Sequence, residues 1–280
     1  MSKHRDGDDN DDAADGVAPA QREMTFWEHL EDLRWVLLRS TIVVAACTVL
    51  MFFNKERLTQ IIFAPQSSDF IVYRAMCSLA AAVHFADLCP DEFSVELLNT
   101  RLASPFFTHM TSSLYAGLLL SLPVVIIMLW RFIAPALYPR ERRRGIPLIL
   151  SCIVLFMSGV LLGYFLVFPL AFRFLGLYQF GANVINRIDL GSYMNIFYTT
   201  LLSMGLVFEM PMLAYTLSRI GIISKEMLRK YRRHAVVVIL VVGAVITPTS
   251  DPFTLMLVSV PMYLLYELSI SVTKRKAAEA

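Results

Sequence analysis

Few side chains in this 280-residue chain have both the chemistry and the setting to act, and most of those are carboxylates. Glu141 stands among Arg140, Arg142, Arg143 and Arg144 in the string RFIAPALYPRERRR, residues 131–144. A short arginine-rich loop between two apolar runs stays on the cytoplasmic side of a membrane, but that topological role has no use for an acid. A carboxylate there is suited to accept paired hydrogen bonds from a cationic ligand, a guanidinium above all. Glu209, in FEMP, lies just past the middle of another apolar run. A charge that deep costs about 2.5–3.5 kcal/mol on insertion scales unless water, a partner or a proton relieves it. Glu209 is therefore either a protonated carboxyl bonded to a neighbouring helix or a polar point in a cavity that receives a polar group. Glu267 lies nearer the end of its run, where helix-end pairing explains it as well as a functional role does.

Other chemistries are missing. The histidines at 4, 29, 84, 109 and 234 show no metal-ligand spacing. There is no phosphate-binding glycine loop, no GxSxG elbow and no nucleophile–base pair. No enzyme activity, cofactor or metal is expected. The bases are dispersed among short loops, which argues against nucleic acid as a partner. Cys47 and Cys152 fall in apolar runs as small packing residues. Cys77 and Cys89 fall in a long polar stretch expected on the exported side, where oxidation is possible, so a disulfide between them is expected.

The elements that position these groups are membrane helices. The chain is 56% hydrophobic and 17% charged, with mean hydropathy +0.58. That excludes an ordinary soluble domain and indicates an all-α integral membrane protein. Residues 1–22 read as a disordered acidic tail, 23–273 as a six-span membrane domain and 274–280 as a second tail. The polar start lacks the core of a cleavable signal peptide, so the first span is expected to serve as signal and anchor. Thr25 and Glu28 form a capping box that starts an amphipathic helix leading into span one. The spans are placed at about 35–53, 112–137, 147–172, 193–218, 235–247 and 253–272. Bases concentrate at 138–146, at 219–234 and in the last tail, and are absent from 248–252. Both termini are therefore expected in the cytoplasm. Spans five and six are short: roughly thirteen residues at about 1.5 Å each give span five about 20 Å, against a hydrocarbon core of about 30 Å. Flanking polar residues must be drawn in, or the bilayer must thin beside this hairpin.

Several strings now stand together: HLEDLR at 29–34, SPFF at 104–107, FIAPALYPRERR at 132–143, FPLAFRFL at 168–175, FEMP at 208–211 and TPTSDPF at 247–253. Their order and placement over about residues 24–272 resemble the TatC family, the multispan core of the twin-arginine protein translocase. The resemblance implies a bacterial inner-membrane subunit of an oligomeric complex, in contact with the lipid bilayer. It would bind the twin-arginine signal peptides of folded precursors and work with single-span TatA-type and TatB-type partners under the proton-motive force. It implies that Glu141 and Asp32 belong to the peptide-binding surface, with Arg34, Phe132, Leu137, Arg142 and Arg143 around them. It places Glu209 and Pro211 on a concave partner-binding face, and matches Pro65 and Asp251 to exported-side turns. This chain departs from the family in having Asp32 where glutamate is usual, Val36 where arginine is usual, and a longer stretch between Pro65 and Ser104. The alternative from the residues is a proton-coupled secondary transporter of a small solute with Glu209 as relay, although the halves show no convincing internal repeat.

Overall fold

The computed structural model describes residues 26–67, 69–83, 97–100, 102–133, 145–178, 187–219, 221–247 and 251–273. Five helical stretches in it are long and apolar enough to cross a membrane: Leu30–Phe53, Ser104–Leu129, Pro147–Leu177, Leu190–Arg219 and Pro252–Val272. The first belongs to α1 (Phe26–Phe53) and the second to α4 (Ser104–Ile133). The second helix starts about two turns earlier than the expected span, because Ser104 to Thr111 continue the same helix into the polar stretch. Pro123 lies inside α4 without ending it.

α1 and α4 pack antiparallel. Phe52 stacks on His109 with ring centroids 4.3 Å apart, and Ser40 Oγ lies 3.9 Å from Met128 Sδ. Between these points a side chain added at Gly117 would sit 2.6 Å from the backbone of Thr48, so glycine allows the two backbones to touch.

The third stretch comprises α5 (Gly145–Leu162), a widened π turn at Gly163–Val167 and α6 (Phe168–Leu177). The widening lies where Pro169 withdraws the N–H that the carbonyl of Phe165 would otherwise bond. The fourth is α7 (Leu190–Phe208) followed by α8 (Met210–Arg219). α5 and α7 also run antiparallel and close. A Cβ at Gly159 would meet the carbonyl oxygen of Met204 at 2.5 Å, and one at Gly205 would meet the Phe156 ring at 2.7 Å. Gly221, at φ 86°, follows α8, and Ile222 N bonds back to Leu217 O at 3.0 Å, which closes the helix end.

After α9 (Lys225–Lys230) come α10 (Arg232–Ile246) and α11 (Pro252–Val272). α10 has 15 residues, too few to cross a full hydrocarbon core upright, whereas the 21 residues of α11 reach about 31 Å, so of the two spans expected to be short only the fifth is. Its buried positions, Ile239 and Gly243, face α11, whereas Val237, Val241 and Val245 are exposed. Asp251 caps α11 by accepting from Thr254 N at 2.8 Å.

The polar stretch after α1 holds structure that hydropathy did not reveal: α2 (Lys55–Phe63), a 3-10 turn at Ala64–Gln66 and α3 (Ile71–Val83). These form a cap over one end of the bundle. Two-residue strands, β1 (Leu97–Leu98) and β2 (Ile188–Asp189), pair in parallel and tie the stretch to the start of α7. Asp189 caps α7 and also accepts from the Thr100 hydroxyl at 3.2 Å. Pro65 has no N–H for the carbonyl of Ile61, and the Tyr164 hydroxyl supplies that hydrogen bond at 2.8 Å. Tyr193 donates to Ile62 O at 2.6 Å, and Tyr73 to the carbonyls of Pro65 at 3.2 Å and Pro169 at 3.0 Å. Three tyrosines thus satisfy the backbone where proline interrupts it. Beneath them Phe168 packs edge to face on both Tyr193 and Phe197, with centroids 5.3 and 4.9 Å apart.

Candidate functional site: a polar end and an intramembrane carboxylate

The antiparallel pairing brings the start of α1 to the same end of the bundle as the last turn of α4. Asp32 and Arg34 lie exposed on α1, and Phe132 is half-buried in α4's final turn. Beside them Leu30, Leu33, Arg34, Leu37, Leu38 and Thr41 line an open groove of about 590 Å³. Leu137, Glu141, Arg142 and Arg143 lie outside the described residues. This end of the molecule also carries Arg219, Arg229, Lys230, Arg232 and Arg233, from α8 to the start of α10. Here Arg232 Nη2 meets Glu267 Oε2 at 2.6 Å, and the Tyr263 hydroxyl donates to Glu267 Oε1 at 3.3 Å. Glu267 is therefore paired at its helix end.

Glu209 occupies the joint between α7 and α8. Pro211 is buried and cannot donate to the carbonyl of Val207, so the helix breaks there, and the backbone N–H of Glu209 bonds instead to Leu206 O at 3.1 Å. The glutamate side chain is half-buried, and its Oε1 is buried with no hydrogen-bond partner among the described residues. The thiol of Cys152 on α5 stands beside the carboxyl. That neighbour follows from the helix register: Cys152 is one turn before Phe156, as Glu209 is one turn after Gly205, the residue that Phe156 packs on. Reading the sequence alone assigns Cys152 only to packing. No local signal links it to Glu209, because the pairing depends on how two distant helices meet.

At the opposite end Pro65 is buried in its 3-10 turn, its carbonyl held by Tyr73, and Asp251 serves as a helix cap. Burial pushes the Tyr73 hydroxyl up to about 12, against the pull of Arg173, whose guanidinium lies 5.8 Å from the ring centroid. Cys77 is disulfide-bonded; Cys89 lies outside the described residues. Cys47 and Cys152 are free thiols. Among the described residues no group of three or more histidines, cysteines or carboxylates is placed to hold a metal.

The family described as Sec-independent protein translocase protein (TatC) matches residues 28–261, from the first turn of α1 into α11. The chain belongs to the TatC family. A TatC protein of Deinococcus radiodurans is 36% identical over 262 residues, covering 92% of this chain and 90% of that protein. A TatC protein of Escherichia coli K12 is 41% identical over 174 residues, covering 62% of this chain and 67% of its own length. A crystal structure described as the twin-arginine translocase receptor TatC superposes with TM-score 0.68 at 32% identity, covering 88% of this chain and 97% of the other. A second, in DDM, gives 0.70 at 33% identity, with 88% and 100% covered. This TatC-family chain is thus a multi-pass membrane protein and a component of the Sec-independent protein translocase.

Proposed function

We propose that this subunit is the signal-peptide receptor of its translocase. It grips consecutive arginines at its basic end with Asp32 and Glu141 and docks single-span TatA-type and TatB-type partners at Glu209. The antiparallel α1–α4 pair carries this reading. It sets Asp32 and Phe132 at one end, and Glu141 follows Phe132 by only nine residues. Two carboxylates there can each accept a bidentate pair of hydrogen bonds from a guanidinium, which lysine cannot supply. Arg34, Leu137, Arg142 and Arg143 border this surface. The apolar groove beside Arg34 suits the hydrophobic segment that follows the charged start of a signal peptide.

In the bacterial inner membrane the chain crosses six times, with α10 as the short fifth span and both termini in the cytoplasm. The arginine-rich segments at 138–146 and 219–234 then lie on the positive-inside side. The cap built from α2, the turn at Pro65 and α3 lies on the exported side, as does Asp251 at the start of α11. The subunit catalyses no covalent step; the proton-motive force drives transport of the folded precursor.

The test is site-specific crosslinking of a twin-arginine precursor to wild type and to Glu141→Ala, with a Lys-Lys precursor as control. Loss of one charged, bidentate partner is expected to weaken binding by roughly tenfold or more, with insertion unchanged. Wild-type crosslinking in Glu141→Ala would overturn the peptide-site assignment.

A further inference from the structure

The C-terminal end of α1, α2, α4, the α5–π-turn junction and α7 enclose a groove of about 490 Å³ that none of the roles above uses. Its walls are hydrocarbon: Leu58, Ile61, Ala116, Leu119, Leu161 and Leu201. Four of its polar side chains are already occupied within the protein, and a fifth, Tyr115, stacks on Tyr198 with ring centroids 4.3 Å apart. Ser112 and Tyr198 bond each other, Tyr164 donates to Ile61 O, and Asn54 Nδ2 donates to Leu50 O at 2.7 Å. One charged group remains. Arg57 lines the groove, is exposed, and has no acidic partner among the described residues. It lies one turn past Phe53, where the apolar run of α1 gives way to Asn54, Lys55 and Glu56, so it stands at the boundary between hydrocarbon and water. Leu50, Ile61 and Leu161 of its lining, and Phe53 beside it in sequence, are exposed apolar side chains.

We propose that this groove is a phospholipid site: one acyl chain fills the apolar channel and the lipid phosphate pairs with Arg57. A guanidinium and a phosphate make bidentate, charge-assisted hydrogen bonds, and basic pockets between membrane helices hold lipid head groups in this way. The lone cation at the rim, without an acidic partner among the described residues, favours a lipid phosphate over an apolar partner helix, and the groove lies within the range of about 300–1,000 Å³ that encloses small ligands. The bound chain wedges between α1–α4 and α5–α7 beneath the cap, so the site belongs to the bundle rather than to the general lipid annulus.

The test uses the full-length protein in nanodiscs containing a phosphatidylglycerol with a photoreactive acyl chain. Labelled peptides are mapped by mass spectrometry, and lipid retained after delipidation is counted by native mass spectrometry. Wild type is expected to label in the groove and to retain one lipid. Arg57→Gln, an exposed change that leaves the fold alone, should lower retention by roughly tenfold. Ala116→Phe and Leu119→Trp should block groove labelling while labelling on exposed α10 is unchanged. The proposal fails if labelling is spread evenly over groove and α10, if Arg57→Gln retains lipid like wild type, or if the groove crosslinks instead to a second protein helix.

Discussion

At the scale of single residues, what counts is which polar atom finds a partner. Glu209 has a thiol beside it and one buried carboxyl oxygen with no hydrogen-bond partner among the described residues, a desolvated acceptor inside the bundle. Cys152→Val removes the thiol at nearly constant volume, and Cys152→Ser keeps a donor. We expect the valine variant and Glu209→Ala alike to lose single-span partners on co-purification, while both still bind a twin-arginine precursor and the serine variant keeps its partners. Equal partner recovery from the valine and serine variants would remove the thiol from this account. Tyr73 allows a test outside the membrane. Its hydroxyl serves the carbonyls of Pro65 and Pro169, and each buried acceptor left bare costs about 1–3 kcal/mol, so Tyr73→Phe should lower the melting temperature. An unfolded tyrosine ionises near 10 and this one near 12, so its folded pKa is the raised one. Its contribution is complete below about pH 10 and is lost as pH rises towards 12. The gap between wild type and Tyr73→Phe should therefore be wide at about pH 8 and narrower at about pH 11; a gap that stays constant or widens would contradict the burial argument.

At the scale of elements, small residues set the geometry. Gly117 lets α1 and α4 touch, and a methyl there would meet the Thr48 backbone, which cannot swing aside as a long side chain can. Gly117→Ala should destabilise the fold by about 1–3 kcal/mol and weaken precursor binding with it, because Asp32 and Phe132 are held together through this pair. A melting temperature like wild type would show that the pair can part without loss. α10 raises a different question. Fifteen helical residues reach about 22 Å at about 1.5 Å each, short of a core of about 30 Å. With Val237, Val241 and Val245 exposed, the bilayer must come to the helix. A thinned bilayer beside α10 and α11 is the expected outcome of cryo-electron imaging in nanodiscs, and one added turn of leucines in α10 should relieve it. Uniform thickness around the wild-type protein would mean that flanking residues are drawn in instead.

At the scale of the whole molecule, the two ends of the bundle differ in construction. One end is open and charged, with Asp32, Arg34 and the start of α10 exposed. The other is sealed by α2 and α3, whose interrupted backbone is bonded by tyrosines from α3, the π turn and α7. Reporter fusions within 138–146 should report the cytoplasm, and an exported signal there would sink the receptor reading as a whole.

The apolar runs, their lengths and the distribution of arginine were legible in the sequence, because the cost of placing a side chain in hydrocarbon is paid residue by residue and adds along the chain. For the same reason Glu209 stood out without any structure, as did the shortness of the fifth run. Other features were decided only by tertiary structure: the cap within the polar stretch, the thiol beside Glu209, the Arg232–Glu267 pair and the groove behind Arg57. Each depends on which helices approach closely, and that is set by glycines such as Gly117, Gly159 and Gly205 meeting surfaces far away in sequence. A glycine carries no local mark of the surface it will meet.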